Sequence, residues 1–211
     1  MARVKKPADY IGELCLAENG EQRMLGWRLR TQYERWIRTL SLKDFLEFNE
    51  TIMANKTKIG LPQFFGKFRA YAFEEYVYRL LKDRICINEP LKIFWGGKCL
   101  VWREIGKNYA LEFDISIGVD ETRFVNPVMV FDAKIELDSS RLKTALASFA
   151  ILKRWKPEVK CIIAYVKREL AKSLLTLAEG WADGIFQFSM ENNETAALLG
   201  YVADCLVCRK G

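Results

Sequence analysis

The sequence predicts an α/β domain with a central mixed sheet flanked by helices, preceded by an added helical region. Three observations carry this reading. Apolar residues recur three and four apart through the N-terminal part, over about residues 9–55 and 62–84. Two apolar runs, Leu111–Ile117 and Val128–Ile135, then alternate with period two, as half-buried strands do. After a further helical stretch, Val159–Val166 is almost continuously apolar, the pattern of a central strand covered on both faces. Strands interleaved with helices in this order form a mixed sheet with helices on its faces.

The first nine residues read as a loose basic tail. Asp9 is placed to cap a short helix ending near Asn19-Gly20. An amphipathic helix follows over Glu21–Thr39, with Leu25, Leu29, Trp36, Ile37 and Leu40 on its apolar side. Ser41-Leu42-Lys43-Asp44 resembles a capping box, with Asp where Glu is usual, and opens a helix to about Met53. A basic connector from Lys56 leads to Pro62, a residue suited to the first turn of a helix. That helix runs to about Arg84. Its apolar band of Phe65, Phe73, Tyr76, Val77, Leu80 and Leu81 is interrupted by Glu74 and Glu75. One of these two acids is expected in solvent and the other facing the strands.

Leu91–Trp95 and Lys98–Arg103 flank Gly96-Gly97, which reads as a two-residue hairpin turn. Gly106-Lys107-Asn108 is another turn, and Val119–Pro127 a turn-rich gap between the two alternating runs. Asp138-Ser139-Ser140 offers N-caps for a helix burying Leu142, Ala145, Leu146, Phe149 and Leu152. Beyond Val166 come a helix over 168–179, a short strand at Ile185–Ser189, and a last helix capped by Asn192 or Asn193 and reaching about Cys208. The reading divides the chain into a helical extension, residues 1–60, and an α/β domain, residues 61–211.

Composition narrows the function. With 13 Phe, 8 Tyr and 6 Trp the chain is built to bury a core. No apolar run approaches the roughly 20 residues of a membrane span. No apolar stretch follows the basic N-terminus as in a signal peptide, so the expectation is an intracellular protein. A net charge of +6 and a pI near 9.0 favour attraction to nucleic acid. There is no histidine, which removes Ser-His-Asp triads, His-paired cysteine nucleophiles and most zinc sites. Of the six cysteines only Cys205 and Cys208 have metal-like spacing, and without a second such pair two buried thiols are the simpler account. Catalysis in this chain falls to carboxylates, lysine, or a metal held by oxygens.

Chemistry concentrates between Glu112 and Lys134. Side chains two apart on a strand share a face, so Glu112, Asp114 and Ser116 point one way on the first run. Asp132 and Lys134 share a face with Val128 and Val130 on the second. If the runs pair as a hairpin, Asp114, Asp132 and Lys134 meet. Two or three carboxylates brought together under partial burial call for a cation, and hard oxygen donors without histidine favour Mg²⁺ or Mn²⁺. The Ala133 carbonyl is a further oxygen donor, and Lys134 is placed to orient a water or offset charge on a phosphate. The alternative is a plain ion pair between Lys134 and a neighbouring carboxylate.

Helix with Glu, strand with Asp, hairpin, strand with acid-x-Lys, helix, strand: over roughly residues 62–166 this order resembles the PD-(D/E)XK nuclease superfamily, which includes archaeal Holliday-junction resolvases and many restriction endonucleases. The resemblance implies a restriction-endonuclease-like core (αβββαβ). It implies metal ligands at Asp114, Asp132 and the Ala133 carbonyl, and Lys134 assisting the water. In resolvase-like members a small residue precedes the helix Glu by four and aliphatics follow it. Ala70, Glu74, Val77, Leu80 and Leu81 fit that frame, with Glu75 as the alternative. Phe113 stands where the superfamily's name has Pro. The small, basic, cysteine-bearing, helix-prefixed chain also resembles small nucleases of crenarchaeal viruses, which would put it in the cytoplasm of an infected host cell.

The expected function is a Mg²⁺- or Mn²⁺-dependent DNA endonuclease, structure-specific in the manner of a junction resolvase and acting as a homodimer on branched DNA. Lys67, Arg69, Lys143 and Lys153 are the expected phosphate contacts. The alternatives are a non-catalytic DNA-binding protein that keeps the nuclease fold, and an assembly or scaffold protein joined through its N-terminal helices.

Overall fold

A computed structural model of the chain describes residues 5–207. Cys208, and with it the last helix's expected end and one half of the Cys205/Cys208 pair, lies outside the described residues, as do the first four residues of the expected tail. The chain divides into two compact units, one up to Leu80 and one from Leu81 onward.

The first unit is helical: α1 (Pro7–Cys15), α2 (Gly20–Thr39), α3 (Leu42–Ala54), α4 (Lys56–Ile59) and most of α5 (Pro62–Arg84). Asn19 caps α2 by accepting the Glu21 N–H at 2.8 Å, and Ser41 caps α3 through the Asp44 N–H. Asp9 lies three residues into α1 rather than before it. Its carboxylate accepts the Lys6 N–H at 2.7 Å, so it closes the first turn from within. The core is aromatic: Phe45 stacks on Tyr76 with centroids 4.7 Å apart, Tyr10 on Phe68, and Trp36 meets Phe45 edge-on. These contacts attach α5, up to Tyr76, to the helices that precede it. Gly26 lets α1 and α2 cross closely, because a Cβ there would lie 2.6 Å from the Cys15 nitrogen.

The second unit holds β1 (Leu91–Glu104), β2 (Lys107–Glu121), β3 (Phe124–Leu137), α6 (Ser139–Trp155), β4 (Lys160–Arg168), α7 (Lys172–Ala178), β5 (Gly184–Gln187) and α8 (Thr195–Val207). The sheet order is β1-β2-β3-β4-β5; β1, β2 and β3 are antiparallel neighbours, and β3, β4 and β5 run parallel. The long meander also curls until Cys99 of β1 pairs with Val125 of β3. Gly118 permits this curl: a Cβ there would lie 2.3 Å from the Asn126 oxygen.

Three local expectations change. Gly96-Gly97 is not a hairpin; β1 runs through it, with Trp95 paired to Ile115 and Gly97 to Phe113, and only Gly96 takes a positive φ of 71°. The turn-rich gap at 119–127 is strand on both sides of a tight turn at Thr122-Arg123, with Glu121 paired to Phe124. Pro127 fits inside β3 because it sits at a bulge: the register slips between Ile117 and Gly118, where the missing N–H is tolerated. Asp138 caps α6 through the Arg141 N–H at 2.8 Å, and β4 is buried on both faces, both as the sequence predicts. Cys99, Val130, Phe149, Leu152, Cys161 and Ile163 belong to one buried core.

Candidate active site

The site forms where two strands part. The β2–β3 pairing runs from Glu121↔Phe124 to Ile115↔Phe131 and stops. Asp114 and Asp132 are the next residues on the two strands. Ser116 and Val130, one pair below them on the same face, are fully buried and form the floor. The carboxylates therefore sit at the mouth of an apolar sheet, with side chains only 16% exposed.

Lys134 joins them. Its Nζ donates to Asp114 Oδ2 at 3.0 Å and lies 2.7 Å from Asp132 Oδ1. Asp114 Oδ2 also accepts the Ala133 N–H at 2.9 Å. Asp132 Oδ1 is buried and is held by the Lys134 ammonium, its charge-assisted partner. The electrostatics follow from this crowding. Burial first, and then the neighbouring Asp114, push the Asp132 carboxyl up to about 6, against the pull of Lys134. Burial disfavours the Lys134 ammonium, yet Asp114 and then Asp132 outweigh it and hold the lysine pKa above its ordinary value. Lys134 stays charged at neutral pH; it is a cation here and not a base.

The donor set suits a hard divalent ion. Two adjacent carboxylates share the single ammonium of Lys134 at the mouth of the sheet, and both are hard oxygen donors. Among the described residues no cluster of three or more Cys, Asp or Glu forms a metal cage. The donors at hand are thus the two aspartates and the main chain of Ala133.

Glu75 is held within the helical unit. It is buried, accepts the Tyr33 hydroxyl at 3.0 Å, and pairs with Arg79 at 2.7 Å. Burial and then Glu75 raise the Tyr33 pKa. Neither partner was foreseen: Arg79 stands at the helical i+4 position from Glu75, which the spacing shows, whereas Tyr33 lies on another helix and leaves no local signal. Glu74 is also buried on α5, so neither acid lies in solvent, where the sequence places one of them, and it too has partners. Glu112 is exposed and registered opposite Lys98 of β1.

Two of the four expected phosphate contacts are corrected. Arg69 is buried and its Nε donates to Asn49 at 3.1 Å, so it ties α5 to α3. Lys153 pairs with Asp183 at 2.5 Å. Lys67 and Lys143 are exposed. The described cysteines 15, 86, 99, 161 and 205 are free thiols.

The five-stranded sheet with its flanking helices is a restriction-endonuclease-like fold. Among solved structures, three chains match this one. One belongs to the native A2B2 tetramer of the restriction endonuclease BbvCI, with a TM-score of 0.50 and 14% identity, covering 81% of this chain and 76% of that one. At that identity the likeness speaks to the fold, not to junction resolution or a viral source. No family model matches the chain, and no curated protein sequence matches it. Among the described residues no helix is long and apolar enough to cross a membrane.

Proposed function

We propose that the protein is a DNA endonuclease that hydrolyses phosphodiester bonds with Mg²⁺ or Mn²⁺. The observation that carries this reading is the pair Asp114 and Asp132 at the parted end of β2 and β3, with Lys134 between them. Two aspartates that share one lysine at the end of a strand pair, with the Asp132 carboxyl raised by burial and by Asp114, match a role as metal ligands better than a role in stability. Asp114, Asp132 and the Ala133 carbonyl would hold the ion. When bound, such an ion supplies a Lewis acid that activates water and offsets charge on the phosphate.

The remaining work belongs to the chain's own residues. Lys134, protonated throughout the neutral range, holds negative charge on the phosphate or orients the attacking water. The Ala133 N–H keeps Asp114 aimed at the site. The helix carboxylate of this reading stays Glu74, the one that fits the resemblance's frame, with Glu75 as its alternative; both are buried on α5 and both have partners. Lys67 and Lys143, both exposed, are phosphate contacts of this reading that do not read bases. Branched or junction DNA as substrate, and a homodimer that cuts two strands symmetrically, are the finer part of the same proposal.

Nicking assays with Mg²⁺ or Mn²⁺ on junction, flap and linear duplex DNA test it. Cleavage that vanishes in Asp132→Asn is the expected result; equal cleavage by wild type and variant on every substrate overturns the assignment. A second reading rests on the same lysine. If Lys134 serves only to neutralise the two aspartates, the protein is a DNA-binding module that keeps the nuclease fold. Calorimetry showing no Mn²⁺ binding dependent on Asp114 and Asp132 would favour it.

A further inference from the structure

The outward face of α2 carries a different chemistry. Met24, Trp27, Arg28 and Thr31 follow one another at helical spacing, and all four are exposed. An indole is a large apolar surface to leave in water, yet Trp27 is 55% exposed. It is also held: the Arg30 guanidinium lies 4.6 Å from its ring centroid, one turn further along. Beside this stripe is a cavity of about 300 Å³ lined by Glu21, Met24, Leu25, Arg28, Asn55 and Lys58.

Charge identifies the occupant. The helix carries Arg23, Arg28, Arg30, Arg35 and Arg38 against Glu21 and Glu34. Glu21 is already paired with Lys58 at 2.9 Å, and Arg35 with Asp44 and Glu47. Among the described residues Arg28 and Arg38 have no ion pair. A positive helix face with a fixed, exposed aromatic and an adjoining half-apolar cavity complements unpaired nucleotides. The bases have π-faces for Trp27, and the phosphates have charge for Arg28. A duplex offers no such bases, since its own are stacked inside.

We infer that the face of α2 around Trp27 and Arg28 binds single-stranded DNA, with a base stacked on Trp27, beside Met24, and a backbone phosphate on Arg28. This rests on the nuclease reading for its biological sense, but its test does not.

Fluorescence anisotropy in EDTA tests it, with the full-length chain and labelled oligo(dT), oligo(rU) and a duplex of equal length. Trp27→Ala should weaken oligo(dT) binding by about tenfold or more, the size of one lost base–aromatic stack, with little change for duplex, and Arg28→Ala should weaken oligo(dT) binding through its lost phosphate contact. Trp27→Phe should retain most of the affinity, which a merely structural role would not require, and unchanged melting should show that the exposed substitutions leave the fold intact. Unchanged oligo(dT) binding by Trp27→Ala, equal losses for oligo(dT) and duplex, or tighter binding of oligo(rU) would each overturn the inference. The cleavage test on Asp132→Asn is read separately. A protein that never cuts but loses oligo(dT) with Trp27 refutes the nuclease and leaves this surface standing.

Discussion

Asp114 accepts the main-chain N–H of Ala133 across the parted strands, its Oδ2 2.9 Å from that nitrogen. The bond does what the sheet ladder no longer does at this point. Beyond Ile115↔Phe131 the two strands have no paired residues, and the carboxylate of one takes up the free donor of the other. Asparagine retains an acceptor oxygen for that donor, whereas alanine does not. Both remove the charge, so comparing them reads the hydrogen bonds that this oxygen accepts, from Ala133 and from Lys134. Leaving a buried donor unmade costs about 1–3 kcal/mol, several degrees of melting temperature for a chain of this size. Asp114→Ala should therefore melt several degrees below Asp114→Asn in thermal denaturation, and neither should bind Mn²⁺ in calorimetry as the wild type does.

The Asp132 carboxyl makes the metal-free protein less stable than it need be. Its pKa is raised from 3.8 to about 6, so the folded state binds its proton more tightly than the unfolded chain. The sign follows: the folded state is favoured below pH 4, and stability falls as pH rises between about 4 and 6 and stays lower above that. Asp132→Asn has no such group. Its melting temperature in EDTA should exceed that of wild type by a few degrees at pH 8, with the gap closing toward pH 4. Mn²⁺ should raise the wild-type value and leave the variant unchanged. A site that lowers stability until it is occupied is an expected signature of function.

Glu74 and Glu75 are neighbours on α5 with different predicted phenotypes. Glu75→Gln breaks the pairing with Arg79 and weakens that with the Tyr33 hydroxyl inside the helical unit. Disrupting a buried charge pair costs about 3–5 kcal/mol, reduced here because Arg79 is partly exposed and regains solvent. Thermal melting should show a clear loss for Glu75→Gln. Glu74→Gln, at a site equally buried and likewise partnered, should reduce cleavage, and cleavage is the readout that separates the two. Loss of cleavage in a well-folded Glu75→Gln, with Glu74→Gln active, would reverse the assignment.

Gly118 tests the curl of the meander. A Cβ at this position would meet the Asn126 oxygen at 2.3 Å and Val125 Cγ1 at 2.8 Å. The first is backbone and cannot rotate away. Gly118→Ala should cost at least about 1–3 kcal/mol, the usual penalty of overpacking, seen as a lower denaturation midpoint in urea.

What was legible in the sequence was what alternates or repeats locally. Asp114, Asp132 and Lys134 share a face because strand period is two, and that alone brings them together once the strands pair. The buried run of β4 and the Asp138 cap were legible for the same reason. Gly96-Gly97 misled because its glycines match a hairpin turn, while the pairing of Trp95 with Ile115 and Gly97 with Phe113 that carries β1 past them is non-local. Pro127 misled because a bulge, invisible in composition, accommodates it. Arg69 and Lys153 were assigned to phosphates on charge alone; Asn49 on α3 and Asp183 before β5 engage them, and neither is near in sequence. Tyr33, which holds Glu75, lies on another helix and left no local signal either.

Lys134 offers the sharpest separation between holding a metal and using it. Its ammonium touches both aspartates and neutralises part of their charge. It therefore competes with any cation for the same oxygens. Lys134→Ala removes the competitor and the cation that both carboxylates share, and should bind Mn²⁺ more tightly than wild type in calorimetry. It should also melt lower in EDTA, because the aspartates then repel each other unscreened. If the lysine acts on the reacting groups, cleavage should fall by about a hundredfold or more, as for other lost electrostatic contacts to a transition state. Tighter metal with lost cleavage is the combination that a purely structural lysine does not produce. Tighter metal with full cleavage would remove Lys134 from the reaction while keeping the metal site. Weaker metal would mean that the lysine organises the aspartates rather than competing for them.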